Sequence, residues 1–480
     1  ASHPPAAVTS LLTRAPDVEQ LLEVHECHSP SFNGVHVSTF WSSLGKLSRR
    51  DVRQRAWLRL NESALAVPRD HTLRSLPMMN PRDLVNTAHG AAAAGIGNRP
   101  PWTVWWQQVG LATVPLMERL TAQELQNVAW AFSASRANVP ALFDGVLLEA
   151  QQRGLESLEP CDVAYLAASF ASIGHPAPLF LQGLAAVAEP RLADFDPPQL
   201  SALCFGLSRA DVPQFYAAVI EHLPQRLHTF GPRELSSTVL TCIRAAHEMP
   251  PAASVHLLEA VAEASAGRLD TFNGHSLASL AVAFAAAPTE LALPPHAMKL
   301  LPSVASAAIA LDGQLRPVEL ARVVRAFAVM SADRRISAQP ELLDAMAAQA
   351  VRRLPQCSEF DLSTLAWAYA TARHPSPTLF TPLTQECFGR LDEFKPKGLV
   401  ALMWACGRLG VDGGPLYAAV STHVQLRANW FTDSERHSLN ASYVRLRLEP
   451  PFAELRPLDW GADDDSYLPN YDQPEKRWPR

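Results

Sequence analysis

Apolar side chains return along most of this chain in one local rhythm. A large apolar residue is followed three places later by an apolar or small one, and seven places later by another large apolar group. Leu125, Val128 and Phe132 show the phrase, and so do Leu362, Leu365 and Tyr369. Spacings of 0, +3 and +7 put these side chains on one stripe of an α-helix. The phrase is anchored at Leu84, Leu125, Val163, Leu200, Leu235, Leu277, Leu320, Leu362 and Leu399, with a degraded copy around Arg436. Successive anchors stand 35 to 43 residues apart. A period of that size is the mark of a solenoid.

Six places after each anchor the residue stays small: Gly90, Ala131, Ser169, Gly206, Thr241, Ala283, Ala326, Ala368 and Ala405. A small residue there lets a neighbouring helix come close, so this segment is helix A of a repeat. A break containing proline follows, then a second apolar-periodic segment, helix B. Several B segments end in Arg-Leu-x-x-Phe, as at Arg191–Phe195, Arg226–Phe230, Arg268–Phe272 and Arg390–Phe394. Pro197, Pro232, Pro317 and Pro396 stand three residues before an anchor, where a helix's first turn accepts proline. One helix pair cannot bury its own apolar face, so neighbours must stack.

The predicted fold is therefore all-α, an α-solenoid of about nine to ten helix-turn-helix repeats with extended N- and C-terminal tails. Residues 1–36 form the N-terminal extension. Residues 37–80, with Val37, Phe40, Trp41 and Leu44, read as a divergent capping repeat that carries a basic stretch. The array runs over 81–446. Residues 447–480 lose the rhythm and form an extended tail, which has too little apolar material to order itself in water.

Composition narrows the chemistry. The chain has 480 residues, 48% hydrophobic and 18% charged, with a net charge of −6. That mildly acidic balance argues against a surface coated in nucleic-acid contacts and leaves room for local ones. Forty Pro against 22 Gly fit many short elements separated by rigid breaks. Seven Cys without a CxxC pair argue against a disulfide framework or a zinc ribbon. No apolar run reaches the ~18 residues of a membrane span. Residues 1–30 carry Asp17, Glu19, Glu23 and Glu26, unlike an acid-poor transit peptide.

Catalytic and metal motifs are weak. Gly274–Ala278, "GHSLA", has the lettering of a nucleophile elbow, yet it opens a helix rather than following a strand. His25–His28, "HECH", offers ligands without a second cluster to complete a tetrahedral site. No catalytic residue, cofactor, metal or small-molecule substrate is expected.

The units resemble the octotricopeptide repeats of green-algal organelles and the similar heptatricopeptide repeats of RAP-domain and FAST-kinase-like proteins. The resemblance rests on the "L..L.WA.A" phrase at Leu125–Ala131, Leu362–Ala368 and Leu399–Ala405. The Arg-Leu-x-x-Phe-x-Pro junctions match too, and Arg99–Trp106, "RPPWTVWW", is similar to a proline-rich turn of such units. It covers about three quarters of the chain, and no RAP-like domain follows. The resemblance implies a non-catalytic scaffold that binds organellar RNA. A structural subunit of a divergent mitochondrial ribosome, contacting rRNA and neighbouring proteins, is the leading expectation. The alternatives are a protein–protein scaffold in another organellar complex, such as a respiratory assembly, or a free transcript-stabilising or translation factor. The implied compartment is the mitochondrion, with the plastid as alternative.

Three sets of residues are candidates for RNA contact. Helical-repeat RNA binders read bases with one varying polar position per unit. Here the position two after the anchor varies: Asn86, Asn127, Tyr165, Ala202, Ser237, Ser279, Arg322, Thr364 and Ala401. The alternative is a solvent-facing position under no constraint. Arginines near the end of helix A, namely Arg136, Arg209, Arg244, Arg373 and Arg408, either meet phosphate or complement the helix dipole. Lys46–Leu60 concentrates Lys46, Arg49, Arg50, Arg53, Arg55 and Arg59 around Trp57, against Asp51 alone. That pattern suits a phosphate backbone with one stacked base, or else a solvated amphipathic helix. Residues 316–353 form a second basic zone that includes Arg322 and Arg325. The tail from Arg447 has five basic and eight acidic groups, so it is expected to prefer protein, with Trp460, Tyr467, Tyr471 and Trp478 as anchors.

Overall fold

A computed structural model describes residues 5–245, 251–288, 292–452 and 455. Among the described residues there are 24 α-helices and no strand, and they fall into two compact units, Ala1–His222 and Leu223–Arg480.

The first unit contains α1 (Pro5–Arg14), α2 (Val18–His28), α3 (Gly34–Arg50), α4 (Val52–Leu60) and α5 (Ala66–Ser75). It continues with α6 (Pro81–Ala93), α7 (Thr103–Thr113), α8 (Ala122–Ala134) and α9 (Pro140–Gln152). It ends with α10 (Pro160–Ile173), α11 (Pro178–Ala188), α12 (Pro197–Leu207) and α13 (Pro213–His222). The second holds α14 (Pro232–Ala245), α15 (Pro251–Ser265), α16 (Gly274–Ala285), α17 (Pro295–Ala310) and α18 (Pro317–Ala332). Then come α19 (Pro340–Val351), α20 (Glu359–Thr371), α21 (Pro377–Gly389), α22 (Pro396–Leu409), α23 (Pro415–Leu426) and α24 (Asp433–Arg445).

The main packing within each unit is between successive A helices. In the first unit the A helices are α3, α6, α8, α10 and α12, each stacked on its successor. In the second they are α14, α16, α18, α20, α22 and α24, with α15, α17, α19, α21 and α23 stacked likewise as B helices. The anchors from Leu84 to Leu399 are buried, as are the apolar residues three and seven beyond them. Proline opens every B helix from α9 to α23, a position where its missing N–H costs nothing and its φ is already helical. Capping boxes start A helices α6, α8, α12, α20 and α24, pairing Asn80 with Asp83 and Ser358 with Asp361, for example.

The recurring arginine of the Arg-Leu-x-x-Phe junction ties one repeat to the one before it. Arg191 donates to the Leu158 carbonyl at 3.1 Å, and Arg390 to that of Cys357 at 2.9 Å. Arg268 donates to Phe230 at 3.0 Å. The accepting carbonyl in each case is the residue that closes the previous repeat's 3₁₀ turn. A guanidinium is suited to this role because its fork of donors reaches backbone oxygens that no helix bond satisfies.

The N-terminal extension is not an extended segment. Residues ahead of Val37 form α1 and α2, and both pack on α3. Val8, Leu12, Val18 and Leu21 are buried there, and Asp17 caps α2 by accepting from the Gln20 N–H at 2.8 Å. At the other end the chain turns back after α24. Gln425 donates to the Pro451 carbonyl, and Asn440 brackets Phe452 through its side-chain amide. Trp460, Tyr467, Tyr471 and Trp478 lie outside the described residues.

A buried histidine, His25, meets a half-buried one, His71, from the capping region. His25 sits against Phe32 and Phe40, with its Nε2 3.1 Å from the Nδ1 of His71. Burial, and then the charge of His71, lowers the His25 pKa to about 4. Burial, and then Arg74, lowers that of His71. An unfolded His takes up its proton near pH 6.5, so from there down to about pH 4 the unfolded chain binds more protons than the folded one. Stability should therefore fall as pH drops through that window. Thermal melts from pH 7 to 4 are expected to show this acid limb, and His25→Leu should flatten it. An unchanged slope in the variant would show that His25 does not carry the effect.

Candidate nucleic-acid interface

Once the inward side of each A helix is fixed by its anchor, helical geometry leaves one strip uncovered by its own repeat. It falls two residues before the anchor and two, five and nine after it. In the second unit these positions number 24, and none is Asp or Glu. They include Arg233, Arg244, Arg322, Arg325, Lys397, Arg408 and Arg445. The chain as a whole carries 47 acids against 41 Lys and Arg, so this strip runs against its composition.

The middle of the strip is an aromatic and cationic row. The Arg325 guanidinium lies 5.8 Å from the Trp367 ring centre, and that of Arg408 lies 5.1 Å from Trp404. The two indoles are near parallel, with centroids 6.5 Å apart and a 27° angle between planes. Both rings are covered, Trp367 at 3% exposure and Trp404 at 5%. Arg322 donates to the Ser279 hydroxyl on the neighbouring A helix at 3.3 Å. Burial, then the charges of Arg244, Arg325 and Arg316, lower the Arg322 pKa, against an opposing pull from Glu319. Burial and then Arg322 do the same to His275. These cations sense one another, an arrangement that a bound anion would relieve. Arg233, Arg244, Lys397 and Arg445 are exposed.

In the first unit the strip of α3, α6, α8, α10 and α12 also lacks Asp and Glu, and carries Lys46, Arg82 and Arg209. His89 and Trp130 meet across α6 and α8 with centroids 4.8 Å apart and planes tilted by 39°. Burial and then the charge of Arg49 lower the His89 pKa.

The basic stretch 46–60 does not form one helix. Asp51 closes α3 and caps α4, accepting from the Arg53 N–H at 2.8 Å. Lys46 and Arg49 belong to α3, while Arg53, Arg55, Trp57 and Arg59 belong to α4 and Arg50 ends α3. Lys46, Arg49, Arg50, Arg53 and Arg59 are exposed, and Arg55 and Trp57 are half-buried.

The column two after the anchor is neither an open reading row nor an unconstrained solvent-facing one. Asn86, Asn127, Tyr165, Ala202, Ser237 and Arg322 are half-buried; Ser279, Thr364 and Ala401 are buried. Neighbouring A helices approach closely enough to cover it. The arginines near helix ends divide as well. Arg136 and Arg373 adopt left-handed backbone just past their helices, at φ of 56° and 51°. Arg209, Arg244 and Arg408 sit nine after the anchor on the strip, and Arg408 also donates to the Ala370 carbonyl at 3.1 Å, serving the end of α20. Trp367, Trp404, Arg233, Lys397 and Arg445 were not among the sequence candidates. Their signal was the four-column register, visible only when the columns are taken together.

Other candidate chemistry is local. Ser276 lies in the first turn of α16, buried, with no hydrogen-bond partner for its hydroxyl. In "HECH", His25 turns inward to His71 while Cys27 is exposed. Glu259 and Glu263 on α15 meet His296 on α17, whose Nδ1 lies 2.5 Å from Glu259 and 3.4 Å from Glu263. Glu259 also accepts from the His296 backbone N–H at 3.1 Å, so the trio acts as a tie between B helices. Among the described residues no helix is long and apolar enough to cross a membrane.

Comparison with protein-family models gives no match, and comparison with curated proteins gives none either. By its own architecture, the chain is an all-helical repeat protein with sequential packing of helix pairs.

Proposed function

We propose that this protein is a non-catalytic scaffold of the octotricopeptide and heptatricopeptide type, binding RNA along the A-helix strip of its units. The observation that carries this reading is the strip itself: cations recur along it and carboxylates do not, on a chain that is acidic overall. Such a surface attracts phosphate and repels little of it. By the same resemblance its place is an organelle, most simply the mitochondrion, as a subunit of the ribosome touching rRNA. Exposed Phe388, Leu426 and Trp430 on the B-helix side of the second unit favour protein neighbours as well, as a subunit of a large assembly would need.

The test is binding of the full chain to a fluorescein-labelled RNA at low and moderate salt. A dissociation constant that weakens steeply with salt is expected, since contacts with phosphate release counterions. Absence of binding at low salt would remove the RNA reading and leave a protein-only scaffold.

A further inference from the structure

We infer that the strip of the second unit grips a single-stranded nucleic-acid backbone without reading its bases, with Trp367 and Trp404 positioning two of the gripping cations. The inference rests on the RNA reading above and narrows it to a ligand class: successive phosphates of an unpaired strand, of any sequence.

Base recognition needs open polar edges or an open aromatic face. Both indoles are covered and the polar column is largely closed. At the −2 positions Phe360 and Ser434 are exposed, and a phenyl ring or a lone hydroxyl meets any base without telling one from another. In the column that would read bases, Ser279, Thr364 and Ala401 are buried and Arg322 is bonded to Ser279, while Ser237 and Ser438 are half-buried. The indoles of Trp367 and Trp404 are almost fully covered, at 3% and 5% exposure, and a guanidinium lies 5.8 Å from the ring centre of the first and 5.1 Å from that of the second. A base could stack there only by displacing Arg325 or Arg408. Four of the exposed strip residues, Arg233, Arg244, Lys397 and Arg445, are cations, and none is an acid.

The aromatic row has a positioning role. A free arginine side chain loses much rotamer freedom when it binds, whereas a guanidinium held over an indole has already lost it. Arg325 on α18 lies near Trp367 on α20, and Arg408 lies near Trp404 on α22, so both are held at fixed places along three successive A helices. Arg408 is fixed further by its bond to Ala370. Fixed cations at repeat spacing suit a polymer of evenly spaced charges. A site that touches only phosphate has no means of sensing the 2′-hydroxyl, the group by which proteins tell RNA from DNA.

The experiment uses the full chain and three labelled strands of about 20 nucleotides, long enough to cover several repeats. Two are RNAs of unrelated, non-pairing sequence, and the third is the DNA version of one. Fluorescence anisotropy should give dissociation constants within about fivefold of each other, with parallel salt dependence. A larger spread between the two RNAs, or between RNA and DNA, would overturn the inference while the RNA reading stood. If no strand bound, both would fall. The variant R325Q/R408Q should weaken binding and lower the salt slope by about 0.7 for each phosphate it no longer neutralises. Trp404→Leu keeps every charge, so it should weaken binding several-fold at an unchanged slope. Should that variant fail to fold by circular dichroism, Trp404→Met, which fills the space without a ring, serves in its place. Wild-type affinity in a folded Trp404 variant would show that the indole positions nothing.

Discussion

Gly90→Val is expected to cost the first unit about 3 kcal/mol, the upper end of what overpacking costs. Gly90 lies on α6 at the position six after an anchor, facing α3. A Cβ there would overlap the backbone carbon and oxygen of Trp41, and would stand 2.7 Å from the backbone nitrogen of Ser42. Those are main-chain atoms inside a helix, so they cannot swing aside as a side-chain tip does. The helices would have to part, and the buried Trp41 would lose its seat against Trp102 and Trp105. Glycine within a helix is itself unfavourable by about 1 kcal/mol relative to alanine, so its presence here means that closeness outweighs propensity. Gly389, at the end of α21, gives the contrast: nothing lies within 4 Å of its added Cβ. Gly389→Ala should be neutral or slightly stabilising. Urea melts followed by circular dichroism check both, and equal midpoints for the two variants would refute the packing argument.

The same position shows how much of the fold was legible in the sequence. The repeating anchor with its +3, +6 and +7 companions is a buried pattern, and burial leaves little freedom in residue type. Leu362, Leu365 and Tyr369 can be placed from their spacing alone, and they are buried as expected. Prolines read as helix starts proved to be helix starts, because the rule is local and steric. The N-terminal helices were less visible. α2 has its cap in Asp17 and apolar Val18 and Leu21, but it lacks the repeat phrase, and a search for periodicity passes over an element that occurs once. The break at Asp51 is of the same kind. One aspartate among six cations looks like a charge to be counted, whereas the structure uses it as a cap between two helices.

The candidate site was legible only in part, for a different reason. A solvent-side strip on a helix has no hydrophobic rhythm of its own, and any single column of it looks like noise. The column two after the anchor mixes Asn, Tyr, Ala, Ser, Arg and Thr. Its neighbours at −2, +5 and +9 complete the picture, and the decisive feature is a residue type that is missing. Lys46 joins this surface from a segment singled out for its charge density, while Arg53 and Arg59 leave it because a new helix starts after Asp51. Charge density along the sequence and charge density on a surface are separate quantities, and helix boundaries convert one into the other.

Reversal of three exposed strip charges, Arg233→Glu, Lys397→Glu and Arg445→Glu together, is expected to produce the largest functional loss. The three residues lie on α14, α22 and α24, all exposed, so the substitution leaves the core untouched and the melting temperature within a few degrees. The electrostatic consequence is far greater. Each cation that meets a phosphate releases a counterion, and a protein making 6–10 such contacts loses about 10³–10⁵ in affinity between 50 and 200 mM salt. Removing three such cations takes away a large share of that free energy, and placing carboxylates there adds repulsion on a strip that has none. A fall in RNA affinity of about 100-fold at moderate salt is the expected result, with a shallower salt slope because fewer ions are released. The matching reversal of Arg50, Arg53 and Arg59 changes the net charge by the same amount at the end of α3 and in α4. If net charge alone governed binding, the two triple variants would behave alike. If the strip is the binding surface, the first loses about tenfold or more beyond the second. Equal losses in the two variants, measured by anisotropy on the same RNA, would refute the strip as the site.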